Sequence, residues 1–175
     1  MSEQLNSKVI TGKVRFCYVH VDEPYRMNET DKPKYTVCIL IDKEDTETLG
    51  KIKKTIEAVK QANRSKLVDK KGNFPASLFN PLRDGDEERG DDEAFAGKMF
   101  LNAKSEKRPG IVDANLDPIL DLSEFYSGCY GRASITFFAF DNKTKGIGVG
   151  LNNLQKLEDG ESLSGGASAA TDFAD

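Results

Sequence analysis

Seven carboxylates fall within the eleven residues from Arg83 to Glu93 of the stretch RDGDEERGDDEAFAG. That density raises divalent-metal chemistry first. A calcium loop of the DxDxDG kind needs its glycine and its closing glutamate at fixed offsets, and here both are out of place. A two-metal nuclease also gathers acids, but from separate strands and in company with a lysine or histidine. Asp84, Asp86, Asp91 and Asp92 are the four such an enzyme would use, and they sit in one contiguous segment punctuated by Gly85 and Gly90. A contiguous loop fixes coordination geometry poorly. A metal-dependent nuclease using residues 84–93 is therefore the alternative reading. The preferred one makes these acids salt-bridge partners of a basic body, or a repulsive rim that keeps a polyanion on one path. Arg83, directly ahead of them, is placed either against a phosphate or against Asp84.

Other catalytic patterns fail on their own terms. There is no Ser-His-Asp, GxSxG or Walker-type arrangement, and the glycines of GIGVGLNN lie in a predicted hairpin and do not open a helix. Cys17, Cys38 and Cys129 are widely spaced in apolar runs, form no CxxC pair, and have one histidine, His20, in the whole chain. They read as buried free thiols in a reducing compartment, with no zinc site and no nucleophile. The expected protein is not an enzyme and carries neither metal nor cofactor. No apolar run is long enough to cross a membrane, and MSEQLNSKVITG has no signal-peptide pattern.

Charge is distributed more tellingly than its sum. The chain has 25 Lys and Arg against 29 Asp and Glu. Setting aside the two bases and seven acids of 83–93, and the five acids of 158–175, leaves 23 bases and 17 acids, a net of +6. A basic body with two acidic appendages fits a protein that meets a polyanion while a mobile acidic tail competes for the same face. Single-strand binding needs cations to track phosphates and flat side chains on which bases stack.

The elements that would position such groups are mostly strands. VITGKVRFCYVHV alternates as one strand, with Val14, Phe16 and Tyr18 on one side and Thr11, Lys13 and Arg15 on the solvated side. KYTVCILI is a central strand, with Tyr35 assigned to the core beside Val37 and Ile39. DKEDTETLGKIKKTIEAVKQANRSK is the principal helix, capped by Asp42 or Asp45, with Leu49, Ile52, Ile56 and Val59 as its apolar stripe. KMFLNAKS is a third strand that places Phe100, Asn102 and Lys104 opposite Met99, Leu101 and Ala103. CYGRASITFFAF and KGIGVGLNNLQKL form a hairpin around DNKT, with Tyr130 and Arg132 outward.

A single domain over residues 1–157 follows: mostly β, an OB-fold-like five-stranded partly open barrel with one principal helix. Residues 158–175, Gly-, Ser- and Ala-rich with scattered acids, are expected to be a disordered acidic tail. The barrel face would present Arg15, Phe100, Lys104, Tyr130 and Arg132 together. Lys13, Arg83, Asn102, Arg108 and Tyr126 complete the expected nucleic-acid contacts.

PLRDGDEERGDDEAFAG, FLNAKSEKRPGIVD, PILDLSEFYSGCYGRASITFFAF and KGIGVGLNNLQKLEDGE, four colinear motifs spanning nearly the whole chain, resemble the phage single-stranded DNA-binding protein family once catalogued as a domain of unknown function. The resemblance implies an OB-fold and non-sequence-specific single-strand binding in phage DNA replication or recombination, in the cytoplasm of an infected bacterium. It further implies a tail that masks the DNA site and recruits phage or host replication proteins, here through Asp172, Phe173 and Asp175. A homodimer is a further expected partner.

Overall fold

The computed structural model describes residues 7–25, 32–141 and 144–163. Five long strands carry the fold: β2 (Val14–Tyr25), β3 (Lys34–Asp42), β5 (Lys98–Ser105), β7 (Tyr130–Asp141) and β8 (Lys145–Glu158). Three short ones, β1 (Lys8–Ile10), β4 (Arg83–Asp84) and β6 (Gly110–Val112), line their edges. β2 pairs β3 and β3 pairs β5, both antiparallel, while β7 pairs both β2 and β8. β5 meets β8 in a parallel joint at Lys104 and Gly150, which closes the ring. A ring of five strands with one thin parallel joint is the partly open plan expected from the sequence.

Alternation decides what the ring encloses. Val14, Phe16, Val37, Ile39, Ile41, Leu101, Ala103, Ile135 and Phe137 point inward and form one core. The helix α1 (Thr46–Ala62) adds Leu49, Ile52 and Val59, with Ile56 packed beside them, so the predicted stripe is the buried face. Asp45 caps it, accepting a hydrogen bond from the Thr48 N–H at 3.1 Å. Asp42, the other candidate cap, accepts instead from the Glu44 N–H and the Lys98 ammonium. The helix ends at Ala62, and the expected continuation to Lys66 becomes a separate short helix, α2 (Arg64–Leu67).

Three expectations need correction, each because alternation was interrupted or overridden. The first strand is broken at residues 11–13. Thr11 is buried, not solvated, and its Oγ1 accepts from the Ala133 N–H at 3.0 Å. Further along β2 the register against β3 shifts: Cys17 faces Cys38 and His20 faces Thr36, so two residues oppose one. This bulge holds Tyr18 at φ 46° and moves the inward parity to Val19 and Val21. Tyr18 is thereby turned out of the core and is 51% exposed. Tyr35 is half-buried opposite Ser105 with the Arg108 guanidinium 5.7 Å from its ring, outside the core.

Candidate nucleic-acid interface

The outer face of β2, β3 and β5 can be read row by row from the register. One row runs Tyr130, Arg15, Leu40, Phe100, Arg83. The next runs Cys17, Cys38, Asn102, and the third runs His20, Thr36, Lys104. Leu40, Cys38 and Cys17 are apolar on this outer side too, so something must cover them.

The cover is the acidic segment itself. Residues 83–97 fold as β4, the helical turn α3 (Gly85–Glu88) and a 3₁₀ turn at Glu93–Phe95. Phe95 drops from that turn into a second core with Cys17, Cys38, Leu40 and Phe100. Its ring meets Phe100 edge-on, 5.0 Å between centroids at 89°. Phe100 is 1% exposed, with the Arg83 guanidinium 5.2 Å above its ring, and has no face left for a base. The expected stacking role of Phe100 is replaced by a packing one.

The carboxylates serve this lid. The Glu88 carboxylate accepts from the Arg83 guanidinium, including Nε at 2.9 Å, so the carboxylate that holds Arg83 is Glu88 and not Asp84. The Lys43 ammonium lies 2.8 Å from Asp84 and 2.7 Å from Asp86. Asp84 caps α3, and Asp92 caps the following turn. Hydrogen bonding to Lys43 holds both Asp84 and Asp86 below the usual carboxylate range. The pairing is therefore present at neutral pH, survives acidification through 3.8, and is lost only below the depressed values. No three His, Cys, Asp or Glu side chains converge as a metal would require among the described residues.

Beneath the lid, a hydrogen bond that the Cys38 thiol donates to Cys17, and then burial, push Cys38 far above its ordinary value. Thiolate reactivity there requires the lid to open. Replacing Lys43 with Ala removes the ion pairs that pin α3 and is expected to speed alkylation of Cys17 and Cys38 several-fold. Mass spectrometry of the labelled peptides reads this directly, and an unchanged rate would show that Phe95 holds the lid without Lys43.

Four expected contact residues do gather, at the end of the ring beside Tyr130. The Lys13 ammonium lies 5.4 Å and the Arg15 guanidinium 5.3 Å from the Tyr130 ring. Both cations are engaged by the start of the tail. Lys13 pairs with Glu158, and Arg15 donates to the Gly128 and Glu161 carbonyls at 3.1 and 2.7 Å. The Tyr126 hydroxyl lies 3.0 Å from the Asp159 carboxylate, whose pKa is lowered chiefly by Lys156 and then by Tyr126. Gly128, at φ 118°, admits this crossing, because a Cβ there would fall 2.0 Å from the Glu161 oxygen. Residues 158–163 are thus held against the body, β8 itself reaching Glu158, and the expected start of disorder at 158 is corrected. Asp172, Phe173 and Asp175 lie outside the described residues.

The remaining expected residues are dispersed. Arg132 donates Nε–H to the Thr11 carbonyl at 3.1 Å and supports the strand break. Arg108 donates to the Asp22 carbonyl at 2.6 Å, and among the described residues most of its five donors, over Tyr35, are unspent. Asn102 and Lys104 are exposed on the uncovered half of the outer face. There they are joined by residues that parity reasoning missed: Tyr18, with Arg89 5.9 Å from its ring, and His20 stacked on Tyr25 at 4.3 Å and 13°. A cleft of about 410 Å³ runs between this edge and the lid, lined by Tyr18, His20, Phe95 and Leu163 among others. No residue pattern signalled the bulge that exposes Tyr18.

This is the architecture of the OB-fold class, in which the outer face of these strands is the surface used for oligonucleotides. The chain belongs to the family described as the ssDNA-binding protein of Enterobacter phage Enc34, which matches residues 7–175. It is similar to the single-stranded DNA-binding protein of bacteriophage Enc34 solved in complex with ssDNA, with 27% identity, TM-score 0.71 and 90% of each chain covered. Protein p50 of Acyrthosiphon pisum secondary endosymbiont phage 1 is 31% identical over 94% of this chain and 91% of its own length. The T7 single-stranded DNA-binding protein gp2.5 shares the fold at TM-score 0.69 and 11% identity, covering 94% of this chain and 99% of its own.

Proposed function

We propose that this protein coats single-stranded DNA without sequence preference and without altering it, during phage DNA replication or recombination in the cytoplasm of the infected bacterium. The observation that carries the reading is the uncovered half of the outer face, which exposed Tyr18 and Tyr25 of β2 share, across β3, with Lys104 and Asn102 of β5. A relative of the same fold has been solved in complex with ssDNA. Bases stack on the rings, and Lys104 and Arg108 follow the phosphates. The lid carboxylates, neutralised on their inner side by Lys43 and Arg83, present Glu87, Asp91 and Glu93 outward as a rim that repels the strand from the lid.

The tail competes with DNA for the Tyr130 corner. Glu158 and the Glu161 carbonyl occupy Lys13 and Arg15, and the acids beyond them offer replication or recombination proteins a docking segment. A gel shift with oligo-dT across a salt series tests the whole reading. Affinity should fall steeply from 50 to 200 mM salt, with a log–log slope of about −0.7 per phosphate contacted. Removing residues 164–175 should tighten binding, and adding Glu158→Gln with Asp159→Asn should tighten it further. Equal affinity for duplex and single strand would defeat the coating role; unchanged affinity across the tail variants would defeat the competition.

A further inference from the structure

The outer surface does not stop at β5. Lys104 pairs with Gly150 across the parallel joint, and Gly150 pairs with Thr136 of β7. β8 places glycine at 146, 148 and 150, alternate positions that all face outward. Two of them are roofed by aromatic rings of the chain. A Cβ on Gly146 would lie 2.5 Å from Phe79 Cβ and 3.0 Å from Phe140 Cζ. One on Gly148 would lie 2.5 Å from Phe138 Cζ and 2.8 Å from its Cε2, so the far end of that ring rests on bare backbone. Above Gly150 the nearest atom is the Thr136 oxygen at 3.6 Å, and the strip is open. Phe138 is nevertheless 48% exposed and Phe79 42%. Their rings lie on the strand with one side buried and the other in water.

We propose that Phe138, flanked by Phe79, is a base-stacking platform that extends the single-strand path from Lys104 over Gly150 onto the β7–β8 hairpin. The inference rests on the ssDNA reading above. Three observations favour a nucleobase as the occupant. The strip is continuous with the Asn102–Lys104 edge, at about 12 Å from Lys104 to Phe138 by strand spacing. Along β8 its floor is glycine at 148 and 150, and the one short side chain beside Gly150, that of Thr136, is held by the Asn152 amide at 2.8 Å. Its exposed apolar groups are flat rings, which suit any base because every base has a π-face. The aliphatic Leu116 and Leu120, 70% and 90% exposed, lie elsewhere, in the loop after β6.

The chain contains no tryptophan, so Phe138→Trp installs a sole indole reporter that keeps a flat ring in place. Its emission should be quenched on saturation with long oligo-dT. Phe138→Ala should weaken binding of long oligo-dT about 5- to 150-fold and leave oligomers too short to pass Lys104 unaffected. If wild-type protein bound no oligo-dT, the coating role and the platform would both fall. If wild type binds but the indole of Phe138→Trp stays unquenched, only the platform falls, including where Phe138→Ala does not fold. A DNA-independent change of oligomeric state in Phe138→Ala, with the indole of Phe138→Trp unquenched, would assign the patch to contacts between copies and overturn the proposal.

Discussion

Phe100→Ala is expected to cost about 3–5 kcal/mol of stability and to lower the melting temperature by about 6–20 °C for a domain of this size, without removing a DNA contact. The ring is wholly buried between Leu40, Cys38 and the edge of Phe95. Its loss leaves a cavity in a small second core that cannot collapse freely, because one wall is a paired strand. The other wall is the lid, and Phe95 loses the partner against which it seats. Cysteines 17 and 38 should then alkylate rapidly, since they share the same cavity. Phe100→Leu should recover most of the stability by refilling the volume. The measurement is thermal or urea unfolding alongside oligo-dT affinity at a temperature where the variant is folded. An unchanged melting curve with lost affinity would return Phe100 to the DNA surface.

Tyr18 should behave in the opposite way. Its ring is 51% exposed at the bulge, beside Arg89, and makes no contribution to either core. Tyr18→Gly should weaken oligo-dT binding by about 1–3 kcal/mol, the contribution of one stacked base. Stability should not fall, because a left-handed φ of 46° strains Tyr and suits Gly. Tyr18→Phe should keep both stability and affinity, since stacking needs the ring and not its hydroxyl. Unaltered affinity in Tyr18→Gly would remove this residue from the interface. Together the two positions should separate packing from recognition within one sheet face, the buried aromatic affecting folding and the exposed one binding.

Much of this molecule is written in local alternation. The period of two in KYTVCILI and KMFLNAKS places Val37, Ile39, Leu101 and Ala103 inside the ring, and the 3.6-residue stripe of α1 places Leu49, Ile52 and Val59 against it. The apolar runs around the cysteines argued correctly for buried free thiols, and the acidic stretch does supply salt-bridge partners, although its partner Lys43 lies 43 residues from Asp86 in the chain. Alternation states which side of a strand a residue occupies; what covers that side depends on packing between distant segments. Phe100 faces outward as its parity requires, yet Phe95 arrives from the acidic segment to bury it. Arg15 faces outward too, and finds the carbonyl of Glu161, 146 residues along the chain. Tyr18 leaves the core because one inserted residue shifts β2 against β3, and that shift is a property of the pair. The strands, and a basic body flanked by two acidic segments, were thus decided by the sequence itself. The open half of the face, and the residues standing on it, were decided by tertiary packing, since exposure is a relation between segments that no single segment carries.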